Sequence, residues 1–461
     1  LFDPGAVLET PRPGQPAVGR VDLLAEEAGF AVQGLQSVDD LVLESHEVVA
    51  DGCYVGSHLR CLGSRDGHYA DSSVRLHDSR KPYILRIYGD FMGAYKGSRD
   101  AEALMKLILG DGVEFSGASF GALAGVAGEV VFNTGMAGYV ETLTDPSYRG
   151  QILVLTYPLI GNYGVPGTRP EGSLDGPFES DRIQVQGLIV QNYVDAFSHH
   201  DADRSLAAWL RTEGVPAATG VDTRTLTRHL RAAGTMKGRL IPEDSEGYDV
   251  GTRLRETDMH SEVFRLVAPA EVTRHGEGAQ SILLVDVGAK DNIVRSLVKR
   301  GISVIRAPWH HDLMPYYEEA DGVLIGNGPG DPSDLDPLIA QIRQMLAGDK
   351  PVMGICLGNQ ILARAAGATT FKLPYGHRGV NQPVQDLITR RCFITSQNHG
   401  YAVDHDALPD DWEPWFINLN DGSNEGIRSK TRPFFGAHPG PEETAYLFDE
   451  FVRSVRRPAF A

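Results

Sequence analysis

From about residue 280 onward the chain alternates two hydrophobic patterns. Apolar runs of strand length, SILLVDVG (281–288), SVIRAP (303–308), DGVLIGNG (321–328) and PVMGIC (351–356), are interleaved with KDNIVRSLVKRG (290–301) and DLDPLIAQIRQMLAG (334–348). In the last two, apolar residues recur every three or four positions, the period of a helix buried on one face. Strand-length runs alternating with such helices predict βαβ units on a parallel sheet. The stretch before it reads differently. From ALMKLILGDGVEFSG (103–117) to KGRLI (237–241), strand-like runs such as GEVVFNTGMAGY (128–139) and QILVLTYPLIGNYGVP (151–166) are broken by Gly and Pro, and helical stretches are few. A polar connector, PEDSEGYDVGTRLRETD (242–258), follows. At the other end, ETPRPGQP (9–16) has turn and linker chemistry and introduces short mixed segments such as PYILRIYGDF (82–91). The predicted organisation is an α/β chain: an N-terminal extension over 1–102, a small β-rich domain over 103–248, a linker over 249–280, and a doubly wound α/β domain over 281–457. There is no internal repeat.

Composition narrows the class. A length of 461 residues has room for about three domains. The formal net charge of −18 argues against a nucleic-acid or anionic-membrane surface, which needs a basic face. No apolar run approaches the ~18 residues of a membrane span. Four cysteines are too few for a disulfide scaffold, which points to a reducing compartment. The first residue is Leu1 and not Met, which fits removal of an organellar leader; the compartment stays open between mitochondrion and cytoplasm.

One cysteine is placed where chemistry is done. In GICLG (354–358) the pattern Gly-x-Cys-x-Gly falls between a strand and a helix. Glycines two before and two after Cys356 allow a sharp turn that lifts the side chain above the carboxyl edge of the sheet. There the helix N-terminus is expected to lower the thiol pKa, and the Leu357 amide to face a developing oxyanion. An inert buried cysteine is the plain alternative, and the paired glycines argue against it. NGPGDP (327–332), also after a strand, offers the Gly330 amide as a second oxyanion wall. A thiol nucleophile needs a histidine from elsewhere in the chain. TSQNHGYAVD (395–404) supplies His399 and RPFFGAHPGPEETAYLFDEFV (432–452) supplies His438. Spacing does not choose between them.

GICLGNQ, NGPGDP, TSQNHGYAVD and DGSNEGI (421–427) together resemble a class I glutamine amidotransferase domain of the triad type. NTGMAGYVETLTDPSYRGQILVLTYPLIGNYG (133–164) and GVDTRTLTRHLR (220–231) resemble the small, glutaminase subunit of carbamoyl phosphate synthetase. The likeness covers roughly 103 to 457. It implies that the small β-rich domain is that subunit's N-terminal domain, followed by the amidotransferase domain. It implies hydrolysis of L-glutamine, with ammonia passed to a separate large synthetase subunit; no cofactor and no metal are expected. By motif, Cys356 would be the nucleophile, forming a γ-glutamyl thioester, and His438 the general base and acid. Leu357 and Gly330 would hold the oxyanion, and Ser147, Gly328, Gln360, Asn398, Gly400 and Tyr401 the glutamine.

The chain departs from the family at one place. The family ends its triad with His-Pro-Glu, the Glu orienting the imidazole, whereas here Pro439 is followed by Gly440. The nearest acids in sequence are Glu442 and Glu443, which read more simply as the acidic first turn of a helix. Two expectations follow: a working glutaminase subunit, or a catalytically degenerate homologue retained as a structural or regulatory subunit of a larger assembly, for which a mitochondrial location stays open. Cys53, His58, Cys61 and His68 lie close enough in sequence for a zinc site, although their spacing is not a standard one. The runs at His199–Asp203 and His310–Asp312 read as solvated turns.

Overall fold

The computed structural model describes residues 42–50, 53–62, 103–170, 172–243, 254–438 and 443–456. It divides into two units, 1–99 and 100–461. In the first unit, strands Val42–Ala50 and Cys53–Leu62 form an antiparallel hairpin. The side chains of the zinc set lie outside the described residues.

The second unit begins with a closed barrel of seven strands: β1 (Leu104–Leu109), β2 (Glu114–Ser119), β3 (Val126–Asn133), β4 (Gln151–Leu155), β5 (Gly187–Val190), β6 (Ala217–Thr219) and β7 (Met236–Pro242). Their order around the barrel is β6-β2-β1-β7-β3-β4-β5. Alternate residues of β4 enter separate cores. Leu153 and Leu155 pack with Leu206, Trp209 and Leu210 of the helix Leu206–Thr212, while Ile152 and Val154 pack with Leu226 and Leu230 of the helix Thr223–Ala233. This period-two division is what a strand covered on both faces requires.

The C-terminal part is built on ten strands: β8 (Thr273–His275), β9 (Gln280–Asp286), β10 (Ile302–Pro308), β11 (Gly322–Ile325), β12 (Val352–Ile355), β13 (Thr370–Asp386), β14 (Cys392–Val403), β15 (Trp412–Asn418), β16 (Asn424–Ser429) and β17 (Phe434–Ala437). They run β8-β10-β9-β11-β12-β17-β16-β14-β13-β15. The pairings among β9, β10, β11, β12 and β17 are parallel, and those from β17 through β16 onward are antiparallel. Helices cover both faces, so the central strands are buried throughout and read as unbroken apolar runs. Leu283, Val285, Val323 and Val352 face α2 (Asp336–Leu346) and α3 (Leu357–Ala366). Ile282, Leu284, Leu324 and Met353 face α1 (Asp291–Lys299) and α4 (Tyr446–Arg456). In α4 the buried set Leu447, Phe448, Phe451, Val452 and Val455 traces one helical stripe. The stretch expected as a linker is partly built into this domain: Val263 and Phe264 of the helix Glu262–Val267 enter its core, and β8 pairs with β10.

Candidate active site

Strand β12 ends at Ile355 and α3 starts at Leu357, so Cys356 alone makes the turn, at φ 55° and ψ −109°. A positive φ costs a non-glycine residue energy and persists only where the surroundings enforce it. Here they do. A Cβ on Gly354 would lie 2.4 Å from the Gly358 carbonyl oxygen, and one on Gly358 would lie 2.1 Å from that of Ile325, so helix and strand meet backbone to backbone. The Cys356 amide donates to the Ala437 carbonyl at 3.2 Å, and the thiol donates to the Asn398 carbonyl at 3.5 Å. The expected lowering of the thiol pKa is not what the fold produces. Burial pushes it up to about 12 and the Asp145 carboxylate adds to this, while the Lys290 ammonium and the Leu357 amide work against it. The side chain is only 7% exposed, and the lost hydration outweighs the helix-end field.

Nine of the sequence-predicted residues meet around one cavity of about 240 Å³. Cys356, Leu357 and Gln360 reach it from the elbow, Gly328 and Gly330 from the loop after β11, and Asn398, Gly400 and Tyr401 from β14. Ser147 reaches it from the barrel domain. His438 lines a second cavity, of about 800 Å³, that Cys356, Ser147 and Asn398 also border. Local bonds fix several of these groups. Asp145 accepts from the Ser147 amide at 2.9 Å, the Ser147 hydroxyl accepts from Asn327 Nδ2 at 2.9 Å, and Gln360 Nε2 donates to the Tyr401 carbonyl at 2.6 Å.

A carboxylate stands behind His438, and it belongs to Glu425. Strand β17 pairs with β16 in the register Gly426 opposite Ala437, so Glu425 and His438 emerge side by side. His438 Nδ1 lies 3.0 Å from the Glu425 carbonyl oxygen and 3.1 Å from its carboxylate Oε2. Oε1 accepts from Asn418 Nδ2 at 3.0 Å and is 2.8 Å from His377 Nδ1; Oε2 is 3.2 Å from His399 Nε2. His377 Nε2 reaches Asp421 at 2.8 Å, and His399 Nδ1 donates to the Tyr401 carbonyl at 2.7 Å. Burial works against charge on His377, yet Glu425 and Asp421 together hold its pKa above the ordinary value. Glu425 is held well below the carboxylate range: burial opposes this, and the imidazoles around it prevail. His438 is pushed down to about 4, by burial first and then by His399. Among the described residues, the buried side chains able to approach a metal ion are His377, His399 and Glu425, within 4.8 Å of one another. Their separations are those of hydrogen bonds, and the chemistry below assigns them no ion.

Residues 107–240 match the carbamoyl-phosphate synthase small chain, CPSase domain, and residues 283–454 match glutamine amidotransferase class-I. The carbamoyl phosphate synthase arginine-specific small chain of Neosartorya fischeri is 44% identical over 385 residues, 80% of this chain and 84% of that protein. The chain belongs to the carbamoyl phosphate synthase small chain family. The multifunctional protein URA2 of Saccharomyces cerevisiae is 45% identical over 392 residues, 77% of this chain, and the chain spans only 18% of that protein's length. Among solved structures, a glutamine amidotransferase from Thermotoga maritima is similar over 35% of this chain and 75% of that one, at 19% identity and a TM-score of 0.27.

Against the family pattern, Glu443, one of the two acids nearest His438 in sequence, is turned to another strand. Glu443 accepts from the Ile394 amide at 2.5 Å, and Glu442 lies outside the described residues. Sequence reading also missed Asp145 and Lys290, from different domains, whose side chains pair at 3.0 Å beside Cys356. It missed Arg378 as well, a buried cation lining the smaller cavity. Both Asp145 and Lys290 stand within stretches already quoted, 133–164 and 290–301, but no local pattern marks a pair that forms across a domain boundary.

Proposed function

We propose that this chain hydrolyses L-glutamine to glutamate and ammonia through a γ-glutamyl thioester on Cys356, and that a large synthetase subunit consumes the ammonia to make carbamoyl phosphate. The observation that carries the reading is the convergence of Cys356, on its strained elbow, with the two oxyanion candidates and the six glutamine-binding candidates at one small cavity. Glutamine enters that cavity with its side-chain amide toward the sulfur. Ser147, Gly328, Gln360, Asn398, Gly400 and Tyr401 hold its amino and carboxylate ends, so binding crosses from the 103–248 domain to the 281–457 domain.

The thiol loses its proton to His438 as sulfur bonds to the amide carbon, and the oxygen that gains charge is met by the Leu357 and Gly330 amides. His438 returns the proton to the departing ammonia. It then takes one from the water that cleaves the thioester and passes it to the departing sulfur, giving glutamate and the free thiol. His438 suits the role better than His399. Both ring nitrogens of His399 are engaged, whereas His438 Nε2 has no hydrogen-bond partner among the described residues. In the free chain the thiol is hydrogen bonded to Asn398 and not to His438, so the resting site holds a neutral thiol beside a neutral imidazole until substrate brings them together.

Glutamate release by the full chain, with and without a synthetase partner and beside Cys356→Ala, tests this. Turnover that depends on Cys356 is the expected result. Equal inertness of wild type and variant, partner included, would discard the glutaminase in favour of a structural subunit.

A further inference from the structure

The glutaminase reading leaves one role without an occupant, the acid that orients the base. We propose that Glu425, on the strand antiparallel to that of His438, is this positioning residue, in the place of the Glu absent after Pro439. The inference rests on the glutaminase reading and adds to it a residue far from the His-Pro segment.

Three observations carry it. First, among the described residues His438 Nδ1 faces acceptors on Glu425: it donates to the carbonyl at 3.0 Å, and Oε2 lies 3.1 Å away. Nδ1 therefore carries the ring proton, and Nε2 is left as the lone-pair nitrogen a base requires. Second, that Nε2 is a buried polar atom without a partner among the described residues, on a side chain 4% exposed, and His438 borders the same cavity as Cys356. An unpaired buried acceptor is costly and is retained where something must come to it. Third, Glu425 is itself held in place. Asn418, Ser423 and His377 secure Oε1, and Oε2, which makes no hydrogen bond among the described residues, lies 3.2 Å from His399 Nε2 and 3.1 Å from His438 Nδ1. The imidazolium that forms when His438 takes the thiol proton then lies against an ionised carboxylate, the service the third member of such a triad performs.

The test compares Glu425→Gln and Glu425→Asp with wild type, Cys356→Ala and His438→Gln, all as full chains. In protease triads, loss of the acid costs on the order of 10⁴-fold. Here the Glu425 carbonyl still holds Nδ1, so Glu425→Gln is expected to lower kcat about 10²-fold, with KM for glutamine changed less than about 3-fold. Glu425→Asp should recover part of the rate. Because Glu425 acts through His438, adding Glu425→Gln to His438→Gln should cost little more, a non-additivity that a merely structural residue would not show. A Glu425→Gln chain with kcat within about 3-fold of wild type overturns the proposal, as does an equal cost in both backgrounds. Should Glu425→Gln fail to fold, nitrogen NMR of histidine-labelled wild type decides, with His438→Gln assigning the signal. A proton on Nδ1 supports the role and a proton on Nε2 overturns it. If wild type proves as inert as Cys356→Ala, the glutaminase reading fails, and the NMR result still reports on Glu425 separately.

Discussion

Gly358→Ala is the sharpest probe of the elbow. The added Cβ would sit 2.1 Å from the Ile325 carbonyl oxygen, 2.7 Å from its carbon and 2.9 Å from the Gly326 oxygen. All three are backbone atoms at the end of β11, which is paired on both sides, to β9 and β12. The strand is the fixed partner, so α3 must retreat, by about an ångström to approach ordinary contact. Its first residue, Leu357, carries the amide aimed at the sulfur, and Cys356 directly precedes it. Overpacking of this kind costs about 1–3 kcal/mol, and a displacement of ~1 Å at reacting atoms costs on the order of 10²-fold in rate. The expected outcome is therefore a fall in kcat of about 10²-fold or more, with a drop of a few degrees in Tm. The control is Gly400→Ala, also at the cavity, where a Cβ would meet only Arg378 Nη2 at 3.5 Å and where stability should hold. Steady-state glutamate release and thermal melts give both numbers. A Gly358→Ala chain with wild-type kcat and Tm would refute the claim that backbone contact fixes the elbow.

Three further outcomes are expected. Lys290→Met leaves the buried Asp145 carboxylate without its cation and should destabilise the fold by about 2–4 kcal/mol in thermal or urea unfolding, with part recovered by adding Asp145→Asn; an unaffected single variant would mean that the pair contributes nothing. In the free chain at pH 8 a thiol whose pKa is pushed up to about 12 is ionised on the order of one part in 10⁴, so iodoacetamide peptide mapping should find the exposed Cys392 modified well before Cys356. His438, neutral when folded and pushed down to about 4, takes a proton in the unfolded chain below its ordinary value near 6.5. The unfolded state then binds more protons, so stability should fall as pH drops from about 6.5 to about 4, by up to about 3 kcal/mol; His377, shifted the opposite way, offsets part of this. The difference in unfolding free energy between wild type and His438→Gln isolates the His438 contribution, and a difference independent of pH would contradict it.

What the sequence determined by itself is what local physics controls. Gly354, Cys356 and Gly358 are close neighbours in the chain, and the elbow they build is sterically dictated within that stretch, so strand, turn and helix could be read directly. Apolar runs covered on both faces announced the parallel sheet, and α1 and α2 appeared close to their expected bounds because each shows its buried stripe in the residues themselves.

Tertiary structure decided the rest, wherever partners come from different strands or domains. The carboxylate behind His438 was sought within five residues of it. Strand pairing instead supplies Glu425, thirteen residues earlier, because antiparallel register sets Gly426 against Ala437. His377 and His399 reach the same carboxylate because β13 and β14 pair them face to face. The thiol pKa moved opposite to expectation for a related reason: the helix end that lowers it is local and visible in sequence, while the burial that raises it comes from the core assembled around Cys356 and the Asp145 charge from the barrel domain. A pattern along the chain encodes what neighbours in sequence must do, and carries almost no record of which distant charges will be brought beside them.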